Sequence, residues 1–400
     1  MTVSMPCRGC EATALEPFLD LGEMPLAGGF LKDDDVIAEE RRYPLTIHVC
    51  HACGLVQIVD VVDPEILFQD YSFSSSTIEA LVRHFDAYAA WLVERFAPRT
   101  VVEVGCNDGV LLKPLVRGGV RACGVDVSRN ITDLARAWGL DVVTGYFTPE
   151  VADEIRARLG AVDVVTGSNT FAHNAHPAII LAAARRLLAP AGHLCLEVMY
   201  AGDLLEYSQW DTLYHEHLTF YSLGTLARLL GRHGFHVIHA ERLPMHGGSL
   251  RVVATLRDGQ PPSQQLSEIV RYEERTRLNH PETWHAFGRT ITRKIDVVRE
   301  TLGRLSRTSR LWGYGAAGKA TLWVNACAMT YLEAMVDASP LRAGRLMPGT
   351  HTPIVLPERL KDNPPDYVFV TAWNYADGIR EKEAWFRGIW VTPLPELRMV

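Results

Sequence analysis

The chain has 400 residues, 48% of them apolar and 22% charged, with a formal net charge of −7. That length is too great for a single hydrophobic core and predicts about two to four domains. The acidic balance argues against a dedicated nucleic-acid surface, no apolar run approaches the roughly 18 residues that cross a bilayer, and residues 1–7 lack a signal-peptide pattern, so no membrane role and a cytoplasmic location are expected.

Eight cysteines in so long a chain are not a disulfide framework, and four of them have metal spacing. Cys7-Arg8-Gly9-Cys10 and Cys50-His51-Ala52-Cys53 form two Cys-x-x-Cys knuckles. Two such pairs close a tetrahedral zinc site with no vacant position, so Cys7, Cys10, Cys50 and Cys53 predict a structural zinc rather than a catalytic one. The alternative is two unrelated pairs of reduced thiols. Between the knuckles, residues 19–30 are rich in Leu, Gly and Pro and read as a loop over the zinc core, and residues 55–59 read as a strand. The stretch Phe68-Gln69-Asp70-Tyr71-Ser72-Phe73-Ser74-Ser75-Ser76 then predicts a polar loop facing a ligand, with Tyr71 alternatively packed as a hinge aromatic between domains.

From residue 78 the apolar positions 81, 82, 85, 89, 92 and 96 have the spacing of an amphipathic helix. A strand at 100–104 runs into Gly105-Cys106-Asn107-Asp108-Gly109 and a further helix, the first unit of a doubly wound α/β domain. The second strand ends at Asp126, where a carboxylate can bind both ribose hydroxyls of an adenosine. A pyrophosphate loop reads Gly-x-Gly-x-x-Gly. This one instead carries Glu103 and Asp108, whose charge repels a pyrophosphate and suits the ammonium of S-adenosylmethionine. Glu103, Gly105, Asn107, Asp108, Gly109 and Asp126, with Asn169 further along the chain, are the expected cofactor contacts, with a nicotinamide cofactor or an empty domain as alternatives. The fourth strand, 161–166, leads to Asn169 and His173, which should lie beyond the carboxyl ends of the strands with the ligands.

The strand at 192–198 leads to Tyr214-His215-Glu216-His217, four adjacent groups that can give, take or hold a proton near neutral pH. In a strand, His215 and His217 would face one way and Tyr214 and Glu216 the other; in a turn all four could crowd one pocket. Chain order hangs the run over the cofactor end of the sheet. A metal pair is the alternative, but no Asp or further His sits nearby to complete one. His246-Gly247-Gly248-Ser249-Leu250-Arg251 offers backbone and side-chain donors to an anionic or hydroxyl-rich ligand, or is a plain hairpin turn. After a linker at 258–263 and a helical region broken at Pro281 comes Gly313-Tyr314-Gly315-Ala316-Ala317-Gly318-Lys319. It matches the dinucleotide fingerprint without a convincing ribose carboxylate, so a Rossmann-like domain presenting Lys319 to a phosphate competes with a nicotinamide site.

The knuckles, the 103–109 loop, Tyr214–His217, His246–Arg251 and Gly313–Lys319 followed by Pro348-Gly349-Thr350-His351 occur in this order. Together they resemble the C-methyltransferases that act on nucleotide-linked 4-keto-deoxysugars. The resemblance spans nearly the whole chain. It implies a zinc-binding N-terminal domain (1–76), a central S-adenosylmethionine domain (77–257) and a C-terminal Rossmann-like domain (258–400) that helps hold the sugar nucleotide and binds no NAD. It further implies Tyr214, Glu216, His217, His173 and Tyr71 as catalytic residues, with Ser75, His246, Gly248, Ser249, Arg251 and Lys319 toward the substrate. His217 is then the expected base, Glu216 orients or assists it, and Tyr214 and His173 donate to the C-4 oxygen of an enolate. A dTDP-linked sugar, C-3 as the methylated carbon and a monomeric enzyme are the accompanying expectations. One departure stands out: Ser76 and Thr77 lie where the family tends to place a tyrosine after paired serines.

Overall fold

Three sheets organise the residues described by the computed structural model, 5–32, 40–68 and 74–400. The first contains β1 (Leu15–Pro25), β2 (Arg42–Cys50) and β3 (Val56–Ile58), all antiparallel. β1 replaces the loop expected over 19–30. Leu19 and Met24 are both buried although five positions apart, a spacing that puts them on opposite faces of a regular strand. The register slips between Asp20 and Glu23, inserting one extra residue at Gly22 (φ +71°), and this bulge returns Met24 to the inner face.

The central sheet follows from near-continuous apolar runs, as expected for strands covered on both faces. In chain order come β4 (Thr100–Val104), β5 (Arg121–Asp126), β6 (Asp141–Thr144), β7 (Val162–Ser168) and β8 (Leu188–Met199). Then come β9 (Thr219–Phe220), β10 (His236–Leu243) and β11 (Ser249–Thr255). The spatial order is β10-β11-β8-β7-β4-β5-β6. β4 to β8 are parallel, and β11 runs antiparallel to both its neighbours. Strand order reverses beside β4, so the ligand crevice lies at the carboxyl ends of β4 and β7. β9 leaves this sheet and pairs with β3, becoming the fourth strand of the first sheet.

Two helices, Gln264–Thr276 and Pro281–Leu305, lead to the third sheet. Its strands are β12 (Leu311–Tyr314), β13 (Met335–Val336), β14 (Ile354–Val355), β15 (Tyr367–Val370), β16 (Ile389–Thr392) and β17 (Arg398–Met399). They are ordered β14-β13-β12-β15-β16-β17, with only β17 antiparallel. The longer helix starts on a proline at its first turn and buries Trp284, Phe287, Ile291, Ile295, Val298 and Leu302. Trp284 and Phe287 close on Phe18 of β1 at ring-centroid distances of 5.7 and 6.4 Å. One buried apolar cluster thus runs from the cysteine knuckles through the central domain to the C-terminal sheet, and large apolar contact of this kind holds domains in fixed relation. Among the described residues no helix is long and apolar enough to cross a membrane.

Candidate active site

The four knuckle cysteines converge. Cys7 and Cys53 sulfurs lie 3.6 Å apart, Cys10 and Cys50 likewise 3.6 Å, and all four sulfurs fall within 4.8 Å of one another. A tetrahedral zinc with sulfurs at about 2.3 Å spaces them about 3.8 Å apart, so the thiols fit a closed structural site. The Gln57 amide donates to Cys7 Sγ at 3.2 Å, and the Gly9 N–H does so at 3.4 Å, the outer contacts that fix thiolate ligands.

At the carboxyl end of β4, Gly105 has φ +70°, and a β-carbon there would stand 2.4 Å from the Thr170 hydroxyl. Only glycine lets the loop pass this close. Asn107 follows in the left-handed region, and its N–H donates to Asp126 Oδ2 at 2.9 Å, tying the loop to the end of β5. Burial raises the Asp126 carboxyl above its usual range, against the opposing Ser128 and Asn107 amides. Burial also pushes Glu103 well above the ordinary carboxylate range, reinforced by the charges of Asp126 and Asp108. Glu103 Oε2, Asp108 Oδ1 and Asn169 Oδ1 are buried acceptors without a hydrogen-bond partner among the described residues. Three unpartnered acceptor atoms, two of them carboxylate oxygens, fit a ligand that brings N–H groups and positive charge, as the ammonium of S-adenosylmethionine does. Asp126 would hold its ribose. Asp108 also anchors a neighbouring segment, because its Oδ2 accepts from the Ser74 and Ser76 hydroxyls, while the Ser75 N–H donates to Asn107 Oδ1 at 2.8 Å. The serine loop therefore caps the cofactor loop. Tyr71 lies outside the described residues.

Tyr214–His217 forms a tight turn, with the His217 N–H donating to the Tyr214 carbonyl at 2.8 Å. Neither face pattern of a strand applies. The His217 ring sits 4.1 Å from the Tyr214 ring and 5.0 Å from that of His173, which stacks on Phe68 at 6.1 Å. His217 Nδ1 lies 2.7 Å from the Thr212 carbonyl. A carbonyl can only accept, so Nδ1 carries the hydrogen and, in the neutral ring, Nε2 carries the lone pair. The Thr212 carbonyl thus orients the His217 ring. His215 turns the other way: it is buried, with Nε2 against the Tyr43 and Pro44 carbonyls at 3.3 and 3.2 Å. It belongs to the packing of the zinc-binding sheet. Among the described residues neither histidine joins a cluster able to hold a metal.

Burial alone raises the Glu216 carboxyl to about 7. The folded chain then keeps a proton that the unfolded chain releases above about pH 4.3. Stability from this group is full below that pH, falls as pH rises toward 7 and is level above it. Glu216→Gln is therefore expected to raise Tm by a few degrees at pH 8 and to leave it unchanged near pH 4.5, as differential scanning calorimetry would read. An equal shift at both pH values would show that burial is not what holds the proton.

The C-terminal glycine loop forms a wall of the same cleft. A β-carbon on Gly318 would meet the Tyr214 hydroxyl at 3.4 Å, so the third glycine of the fingerprint lies beside that phenol. Gly315 packs against Ala372 and accepts through its carbonyl from the Thr371 hydroxyl. Asp337, at the ribose position of a dinucleotide fold, already accepts from the Ser339 N–H at 2.8 Å and from Arg342 at 3.2 Å. Lys319 donates to Asn374 Oδ1 at 3.3 Å and lies over the Trp373 ring. One residue missed in the sequence is Asp211, fully buried and bonded to the indoles of Trp323 and Trp373. Its only sequence signal is a lone carboxylate just ahead of the Tyr214–His217 run, too weak to single it out.

Residues 246–248 belong to the turn joining β10 to β11, and residues 249–251 open β11 itself. The Ser249 hydroxyl donates to the Met245 carbonyl at 3.1 Å, and Gly248 presses on Asp203. Arg251 does not reach the cleft. It is buried inside the central domain, donating to Glu197 at 2.6 and 2.9 Å and to Glu241 at 2.9 Å, over the rings of Tyr88 and Trp91. A buried arginine is tolerated only with such pairing, so its place in the sequence motif reflects strand alternation and ion-pairing rather than an open donor.

Comparison with known proteins adds three family matches: a zinc binding domain over residues 7–68, a methyltransferase domain over 78–240 and a C-methyltransferase C-terminal domain over 244–395. The chain is 32% identical to the C-methyltransferase NovU of Streptomyces niveus, over 98% of this chain and 96% of that protein. A ubiquinone biosynthesis O-methyltransferase of Sodalis glossinidius is 33% identical over 24% of this chain and 39% of its own length. Among solved structures, the magnesium protoporphyrin IX methyltransferase of Synechocystis PCC 6803 with bound SAH aligns at 18% identity and a TM-score of 0.35, covering 43% of this chain and 82% of that one.

Proposed function

The chain belongs to the C-methyltransferase family, and from that membership we propose that it methylates a ring carbon beside the ketone of a nucleotide-linked 4-keto-deoxysugar. The observation that carries the reading is the meeting of His217, Tyr214 and His173 rings at the cofactor end of the central sheet. S-adenosylmethionine, when bound, supplies an electrophilic methyl group. The remaining chemistry falls to the protein, because a proton next to a ketone is far less acidic than any side chain and its removal needs charge stabilisation as it proceeds. His217 Nε2 takes the α-proton, since Nδ1 is committed to the Thr212 carbonyl. Tyr214 and His173 donate to the C-4 oxygen as negative charge builds there. Glu216, with its carboxyl raised to about 7, can accept the proton onward near neutral pH. The cleft holds the enolate carbon in line with the methyl group.

Two features favour this reading over a nicotinamide-dependent oxidoreductase: Tyr214 lies against Gly318, and Asp337 is already engaged. An O- or N-methyltransferase would need a base but no paired donors for an enolate oxygen. The test is incubation with S-adenosylmethionine and a panel of nucleotide-linked 4-keto-deoxysugars, dTDP-linked ones first, with NMR of the product. A new carbon–carbon bond at C-3 is expected; a methyl on oxygen or nitrogen would overturn the reading, as would calorimetric binding of NAD in place of S-adenosylhomocysteine.

A further inference from the structure

Behind His217 lies a set of contacts that the proton transfer itself does not use. Asp211 is fully buried in the short turn Trp210–Thr212, and its Oδ2 accepts from Trp323 Nε1 at 3.0 Å and Trp373 Nε1 at 2.8 Å. Trp210 meets Trp323 edge-on at 4.6 Å. The next residue, Thr212, donates its hydroxyl to the Gln209 carbonyl at 2.8 Å, and its own carbonyl accepts from His217 Nδ1. The direction of that carbonyl is therefore set by a single turn, and the turn is pinned from the C-terminal domain.

We propose that Asp211 is a positioning residue that, with Trp323 and Trp373, fixes the Thr212 carbonyl and so selects the tautomer of His217 that leaves the lone pair on Nε2. A neutral imidazole can place its hydrogen on either nitrogen, and the hydrogen bond at one decides the other. An acceptor held opposite Nδ1 repels the tautomer with a lone pair there. If the turn rotates, the preference goes, and the fraction of His217 able to accept a proton at Nε2 falls. The same patch of the C-terminal domain carries Lys319, which lies over Trp373 and bonds Asn374. This gives that domain a part in proton transfer without contact with the reacting atoms.

The inference rests on His217 being the base, and the experiment separates the two. The full-length, zinc-loaded protein labelled with ¹⁵N-histidine would be compared at pH 8 as wild type, Asp211→Asn, Asp211→Ala and the double variant Trp323→Phe with Trp373→Phe. His217→Asn assigns the signal. Wild type should show the Nδ1–H tautomer. The double variant and Asp211→Ala should show a mixed population, with kcat for a dTDP-linked 4-keto-deoxysugar reduced ten- to a hundredfold and KM for S-adenosylmethionine within twofold. Asp211→Asn, whose amide oxygen can still accept both indoles, should stay within about threefold of wild-type kcat. If Asp211→Ala does not fold, the double variant carries the test. An unchanged tautomer in a folded double variant or folded Asp211→Ala overturns the proposal. A changed tautomer with undiminished exchange of the substrate α-proton supports the positioning and overturns His217 as base instead.

Discussion

Replacing His217 with asparagine should stop deuterium exchange at the α-carbon of the keto sugar and lower turnover by about 10² to 10⁴, the range spanned by positioned proton transfer. Asparagine is the informative choice because its amide N–H can still donate to the Thr212 carbonyl that His217 Nδ1 faces. The turn is kept while the basic nitrogen is lost. Cofactor binding should persist, since the candidate contacts come from the loop after β4, from Asp126 and from Asn169. Calorimetry with S-adenosylhomocysteine should give a Kd within about threefold of wild type, a change of under about 1 kcal/mol. Exchange monitored by NMR in the presence of S-adenosylhomocysteine isolates proton removal from methyl transfer. Full exchange in this variant would dismiss His217 and turn attention to Glu216, whose carboxyl burial also tunes toward neutrality.

The second large effect is expected from the zinc ligands. Cys53→Ser replaces a thiol that ionises on binding metal with a hydroxyl that does not. Structural zinc contributes on the order of 10 kcal/mol to the folding of small metal domains, as much as the whole net stability of an ordinary domain. The variant should therefore hold well under half a zinc per chain by mass spectrometry and lose near-ultraviolet circular dichroism from the N-terminal sheet. Turnover should fall with it, although no zinc ligand lies in the catalytic cluster. The reason is the pairing of β9 with β3: Val56 faces Phe220 and Gln57 faces Thr219, three and two residues beyond His217. A strong chelator applied to the wild type should reproduce both losses. A folded, active, zinc-free Cys53→Ser enzyme would show that the sheet stands without its metal.

The features legible in the sequence were those whose physics is local. Two Cys-x-x-Cys pairs, a glycine loop after an apolar strand and a carboxylate at the end of the next strand each declare themselves within a few residues, and the structure places the four sulfurs together and ties Asn107 to Asp126. Tyr214, His217 and His173 could be grouped because the α/β alternation fixes which end of a sheet a loop occupies. What stayed hidden depends on partners far along the chain. β1 looked like a loop because a bulge disguised its alternation. Arg251 looked like a donor because nothing beside it in sequence announces Glu197. The fingerprint at Gly313–Lys319 left a nicotinamide site and a phosphate contact both open, because its nearness to Tyr214, about a hundred residues distant, is encoded by no local pattern. Asp211 escaped for the same reason, since its two indole partners lie in another domain.

The migration of β9 into the N-terminal sheet also bears on how the chain is made. β1, β2 and β3, with all four cysteines, leave the ribosome early, but the strand that covers the open edge of β3 is encoded roughly 160 residues later, about 8 to 30 s at ordinary rates of synthesis. During that interval β3 presents unpaired backbone groups, a template for association with other chains. The zinc module is thus sequential in the gene but not in assembly. An expression fragment ending near residue 76 should aggregate where the full-length chain does not, and exchanging N-terminal modules between relatives would require the β9 segment to travel with them.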